Sequence, residues 1–235
     1  MKIIYFIGNG TRPSQQLDYL CLRTTFSCNF APIEWHTWGF LPDFWSFSED
    51  PIYKNNLLYC LENLDLNNPE VQKILPKYVK GEMNFPNTRY LPVRQYDCRK
   101  PGEKGKLILR FGCTGANCVG IALNVLDFDH AVLIGCDAFR TDVYDTPVPL
   151  NPKHAEMRLK FPDAYLKKTN DREIRSWRRL AKWRDIVKPD SIILNASQDS
   201  KIDCLPRIEL GAETNYFNGK LPIPKIENLK YARTN

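Results

Sequence analysis

Histidine is scarce in this chain: His36, His130 and His154 are the whole complement among 235 residues. Few side chains are therefore available to titrate near neutrality. Apolar runs are short as well. None approaches the roughly 18 residues of a membrane-spanning helix, and no span is expected. Met1-Lys2 runs straight into IIYFI, which is too short for a signal core and meets a glycine turn at once. A cytoplasmic protein is expected. The 8 cysteines show no zinc-type pairing, since the Cys113-x4-Cys118 spacing suits a structural zinc site poorly. Cys28, Cys60, Cys118 and Cys136 lie in apolar runs and read as buried thiols. Gly8-Asn9-Gly10 lacks the third glycine of the dinucleotide fingerprint, Pro13 standing there instead, and no Walker A loop occurs. The Asp-x-Asp order at Asp127 and Asp129 falls at the wrong end of its helix to hold a metal beside a ligand crevice. Repeats and low-complexity segments are missing too.

What is present describes an ordinary globular chain, with 43% hydrophobic and 26% charged residues. A net charge of +6 favours phosphate-bearing ligands without amounting to a nucleic-acid signature. IIYFI (3–7), TTFSC (24–28), DFWSF (43–47), KLILRF (106–111), HAVLIG (130–135) and SIILNA (191–196) read as strands. LLYCLENLDL and PEVQKILPKYV, within 55–79, read as two short helical pieces broken at Asn67-Asn68-Pro69. Helical spacing of Val119, Leu123 and Leu126, with small Gly120 and Ala122, predicts a helix over 116–126 that packs closely on a sheet. KLILRF, this helix and HAVLIG form a βαβ pattern. A second helix is expected over 171–187, capped by Asn170 and Glu173. Its outer face holds Arg172, Arg175, Arg178, Arg179, Lys182 and Arg184, either a solvated basic face or a surface for an acceptor or nucleic acid. Residues 80–105, with room for an edge strand, and 140–170 read as loop or lid segments of one α/β domain spanning 1–235. EWHTWGFLPDFWSF (34–47) fits core, lid or interface, and an interface would make a homo-oligomer.

Strands alternating with helices predict a sandwich with a mainly parallel central sheet. Such sheets bind ligands beyond the carboxyl ends of their strands. That rule gathers Gly8, Asn9, Gly10, Asn29, Ser46, Thr114, Gly115, Asp137, Asn195 and Ser197 on one rim. The glycine turn is expected to offer free backbone N–H groups, and Thr114-Gly115 to open a helix whose dipole favours an anion. Thr114 also suits a helix N-cap. Asp137 ends a strand and can orient a ribose or sugar hydroxyl. His154 follows a strand end that points at the crevice and is the preferred general base. His130 precedes a strand on the opposite edge and suits catalysis poorly.

The order IIYFIGNG, then Cys28-Asn29, then TGANCVGIALNVLDFDHAVLIGCDAF resembles the bacterial sialyltransferases of the Campylobacter lipooligosaccharide type. It also resembles the wider Rossmann-like group of phage and prophage glycosyltransferases, whose late strand leads into a stretch similar to NASQDSKIDCLPRI (195–208). The resemblance implies a glycosyltransferase-A-like variant of the Rossmann-like fold. It implies that Asn9, Gly10 and Asn29 hold the nucleotide of an activated sugar, CMP- or UDP-linked. Thr114 then stands where a serine meets the donor, Gly115 where its glycine sits, and Asp137 at the aspartate ending the next strand. His154 takes the place of the family's basic histidine. Sugar transfer would proceed from the nucleotide sugar to a hydroxyl acceptor, a glycan or even DNA, with Tyr144 and the Thr114-Gly115 N–H groups stabilising the leaving phosphate. No metal cofactor is required on this reading. A viral member would work in the host's cytoplasm. Two alternatives stay open: nucleotide-sugar or nucleotide binding without transfer, and a magnesium-dependent pyrophosphotransferase using Asp137, Asp142 and Asp145.

Overall fold

The structure, a computed structural model, describes residues 1–8, 10, 14–29, 31–33, 35–47, 66–81, 83–95, 107–138, 162–197 and 200–222. Five strands lie where the apolar runs predict them: β1 (Ile3–Ile7), β2 (Thr25–Cys28), β3 (Phe44–Ser46), β8 (His130–Ile134) and β9 (Ile193–Asn195). With β4 (Gln72–Pro76) and β5 (Thr88–Leu91) they make a seven-stranded sheet in the order β5-β4-β3-β2-β1-β8-β9. Every pairing in it is parallel. This is the sandwich with a parallel central sheet that the alternation of elements predicts, consistent with the Rossmann-like, glycosyltransferase-A-like variant that the resemblance implies.

Both faces of the sheet are covered, which is why its strands read as continuous apolar runs rather than alternating ones. Ile4 and Phe6 of β1 point into one core, with α3 (Thr114–Asn124) and α4 (Pro162–Val187) above it. Tyr5 and Ile7 point into the other, closed by α1 (Ser14–Leu20), α2 (Trp35–Trp38) and α5 (Glu213–Phe217). Trp45, Trp183, Phe6, Phe26, Phe47 and Phe111 are fully buried. Each such ring removes about 150–250 Å² from water and dominates the packing. The aromatic stretch 34–47 is thus largely core: Trp35, Trp38, Trp45 and Phe47 are all buried.

Four local expectations are corrected. PEVQKILPKYV is not a helix; Gln72–Pro76 is an inner strand between β3 and β5, followed by a single 3-10 turn at Lys77–Val79. Its Lys73 is fully buried, with Nζ donating to the Asn68 carbonyl. KLILRF contributes β7 (Ile108–Arg110), which pairs with β6 (Val93–Gln95) in a separate two-stranded sheet. The strand before α3 therefore lies outside the main sheet, and the simple βαβ unit is not formed. Within 80–105, β5 is the edge strand of the main sheet and β6 follows it; within 140–170, read as loop, α4 already begins at Pro162. Asn170 and Glu173 accordingly sit inside α4 rather than at its start, because the helix continues through them. The helical piece expected at LLYCLENLDL (57–66) lies outside the described residues except for Leu66, which is buried.

Candidate functional site

The chain steps outward from β1 through β2, β3, β4 and β5 on one side, then returns to place β8 and β9 on the other. The switch point is therefore the carboxyl end of the β1–β8 pair, where open parallel sheets form their crevice. Ile7 stands opposite Ile134 there, and the residues beyond them make the rim.

Gly8 and Gly10 lie against the end of β8. The Gly8 N–H donates to the Ile134 carbonyl at 2.8 Å and the Gly10 N–H to the Gly135 carbonyl at 2.7 Å. The expectation of free amides at these two glycines is corrected: the turn extends the β1–β8 ladder by two more bonds. Closeness explains the residue type. A Cβ on Gly8 would stand 2.4 Å from the Gly135 oxygen, and one on Gly10 2.3 Å from Asp137 Oδ2. Neither position admits a side chain without movement of backbone. Asn9 lies outside the described residues.

The end of β8 is braced from β9. The Cys136 N–H donates to Ser197 Oγ at 2.8 Å, and Ser200 Oγ donates to the Cys136 carbonyl at 2.7 Å. Asn195 Nδ2 donates to Ser200 Oγ (2.9 Å), while Asn195 Oδ1 accepts the Ser197 N–H (3.1 Å). The Lys201 N–H donates to the Asp137 carbonyl at 2.7 Å. Asn195, Ser197 and Ser200 are buried, so this network fixes the path of Gly135, Cys136 and Asp137. Ser200 was not singled out from the sequence. Its only signal is its place in NASQDSK, five residues after the strand-ending asparagine. Asp137 remains partly accessible, with its carboxylate beside Gly10.

The start of α3 reaches the same rim. Its N-cap is Cys113, with φ −130° and ψ 155°; Thr114 is the first helical residue, not the cap. Asn117 Oδ1 accepts the Phe111 N–H at 2.6 Å and ties the incoming turn to the helix. Gly112 has φ +122°, and a Cβ there would stand 2.6 Å from Ser176 Oγ of α4. Arg179 of α4 donates to the Phe111 carbonyl at 3.2 Å. Gly115 is wedged between rings: a Cβ on it would lie 3.1 Å from Trp177 and 3.2 Å from Phe6. Thr114 is buried. Gly115 thus packs on Phe6 of β1, two residues before Gly8, and α4 roofs the turn that opens α3.

At the end of β2, Asn29 adopts φ +51°, in the left-handed region that asparagine tolerates. Its N–H donates to the Ser46 carbonyl (3.1 Å) and its carbonyl accepts the Trp45 indole N–H (3.0 Å). Ser46 is buried, and its hydroxyl donates to the Ile74 carbonyl at 2.6 Å.

Thiols beneath the rim are poor nucleophiles. Burial pushes the Cys113 thiol up to about 12, and it raises Cys118 and Cys136 as well. No group of three or more His, Cys, Asp or Glu able to hold a metal occurs among the described residues. Asp142 and Asp145, the partners proposed for Asp137 in a magnesium site, lie outside them, as do Tyr144 and His154. His130 opens β8 at the amino edge, far from the rim. Its Nδ1 accepts the Ile192 N–H at 3.1 Å, its ring stacks on Phe217 at 4.5 Å, and burial lowers its pKa.

No protein-family model matches the chain, and no curated protein matches it in sequence. Among solved structures, it is similar to the MAf glycosyltransferase from Magnetospirillum magneticum AMB-1, with a TM-score of 0.58 at 16% identity. The match covers 91% of this chain and 34% of that one, so the chain spans about a third of the protein it resembles. At this identity the likeness establishes a shared fold.

Proposed function

We propose that the chain is a glycosyltransferase that moves a sugar from a nucleotide-activated donor, CMP- or UDP-linked, to a hydroxyl acceptor. The observation that supports this reading best is the packing of Gly8 and Gly10 against Gly135 and Asp137 at the β1–β8 switch point, with Gly115 of α3 packed on Phe6 of β1. Likeness of fold to a glycosyltransferase supports it.

On this reading the donor lies along the rim, its nucleotide toward Asn9, Gly10 and Asn29 and its phosphate toward Thr114 and Gly115. Asp137, fixed by the Ser197 and Ser200 bonds to its neighbour Cys136, orients a hydroxyl of the ribose or sugar. His154 takes the acceptor proton, the acceptor oxygen attacks the anomeric carbon, and the nucleotide phosphate leaves. Tyr144 and the dipole of α3 stabilise the charge that develops. No metal takes part, and turnover persists in chelator. The enzyme works in the cytoplasm.

A thermal-shift screen of nucleotides and nucleotide sugars tests the reading, repeated on Asn9→Ala. A stabilising ligand whose effect is lost in the variant fixes donor class and site together; no shift with any nucleotide sugar removes the reading. The burial of Thr114 and the covering of Gly115 by Trp177 favour a second one, nucleotide-sugar binding without transfer. It predicts the same shift with no product formed.

A further inference from the structure

Helix α4 carries its charge in an ordered way. Lys168, Arg172, Arg175, Arg179 and Lys182 follow one another at spacings of four, three, four and three residues, which sets them in one straight line along a helix. All five are exposed. With a rise of 1.5 Å per residue the line is about 21 Å long, with one positive charge about every 5 Å. Arginines beside the line behave differently. Arg178 pairs with Asp203, and Arg184 pairs with Asp185. Among the described residues, Lys168, Arg172, Arg175 and Lys182 form no ion pair. Like charges at these spacings destabilise an isolated helix. Asp171 and Asp185 beside the line offset part of that cost, and an anionic partner would remove the rest.

Position gives the line a direction. Ser176, Trp177 and Arg179 touch the turn that opens α3, so the line passes that turn at Arg179, with Lys168, Arg172 and Arg175 on one side of it and Lys182 on the other. We infer that this line is a track for the acceptor, and that the acceptor is a linear anionic glycan carrying about one carboxylate per sugar. The inference rests on the transferase reading for the word acceptor; the track itself rests on α4 alone.

Three features select this partner. Duplex DNA carries one charge per about 1.7 Å of its axis, several times denser than the track. Single-stranded nucleic acid needs aromatic platforms, whereas Trp177 and Trp183 of α4 are turned inward and buried. An anionic membrane presents a plane, but the track is one cation wide. The flank beside it, Lys167, Asp171, Arg178 and Asp185, alternates in sign and offers a plane no net attraction.

The test uses the full chain and a fluorescent oligogalacturonate long enough to cover the helix, with binding read by anisotropy. Binding is expected to weaken steeply between about 50 and 200 mM salt. Arg172→Ala/Arg175→Ala/Lys182→Ala should lose at least about tenfold in affinity, while Lys167→Ala on the flank keeps it. Equal binding by the triple variant would overturn the track. Tighter binding to duplex DNA or to anionic-lipid vesicles would overturn the glycan assignment. Lys182→Ala alone, expected to weaken binding partially, serves should the triple variant misfold. The nucleotide thermal shift is recorded on the same samples. Glycan binding without any nucleotide shift removes the transferase reading and leaves the track standing. A nucleotide shift without glycan binding does the reverse.

Discussion

Gly10 shows how closely single residues set the rim. Its α-carbon faces the Asp137 carboxylate, and its N–H is spent on Gly135. In Gly10→Ala the new methyl would meet Asp137 Oδ2 at 2.3 Å and the Gly135 oxygen at 2.7 Å, so backbone must move. Overpacking of this kind costs about 1–3 kcal/mol. Urea unfolding should show that loss, and the nucleotide-dependent thermal shift should vanish with it. A variant of wild-type stability that still responds to the donor would separate this turn from the site. The glycines and Asp137 were legible because β-branched runs ending in glycine mark strand ends. The employment of Asn195, Ser197 and Ser46 was not. Each is a polar residue at a strand end, and the internal bonds to Ser200 and to the Ile74 carbonyl depend on residues that the strand pattern does not single out.

At the scale of elements, the sheet was readable because parallel strands buried on both faces are written as unbroken apolar runs. Gln72–Pro76 escaped because Val71, Ile74 and Leu75 also fit helical spacing, and because a lysine sits in the run. That lysine is tolerated through its bond to the Asn68 carbonyl, which no periodicity foretells. Asn170 with Glu173 spells a helix start, yet α4 runs through it, tertiary packing overriding a local signal. The joint between β8, β9 and α5 makes a prediction of its own. His130 accepts a bond from the residue before β9 and stacks on α5. Burial depresses its pKa, so the folded chain holds it neutral while the unfolded chain binds a proton more readily. Stability is then full above the ordinary histidine value of about 6.5 and declines as pH falls below it toward the depressed folded value. Urea melts from neutral pH down to mildly acid should trace that decline, and His130→Gln should flatten it. An unchanged slope in the variant would assign the effect to other groups.

For the molecule as a whole, a long-range contact joins β1 to α5. Glu213 is fully buried; Tyr5 donates to its carboxylate at 2.8 Å, Tyr19 donates to the same oxygen, and the Gly211 N–H donates to the other at 2.7 Å. Arg23 completes the cluster, donating to the Tyr19 hydroxyl and lying over its ring. Replacing Glu213 by Ala leaves the buried Tyr5 hydroxyl without its acceptor, at about 1–3 kcal/mol. Tyr5→Phe removes a donor from a carboxylate that keeps others, so its loss should be the smaller when both are measured by urea unfolding. Reversal of that order would mean that the carboxylate, not the hydroxyl, is the costly group to strand.

The central place of β1 also bears on how the chain comes into being. The ribosome makes this strand well before β8, which pairs with it along one whole side. Until then one flank of a hydrophobic strand stands open in the nascent chain, exposed to chaperones and to neighbouring polysomes.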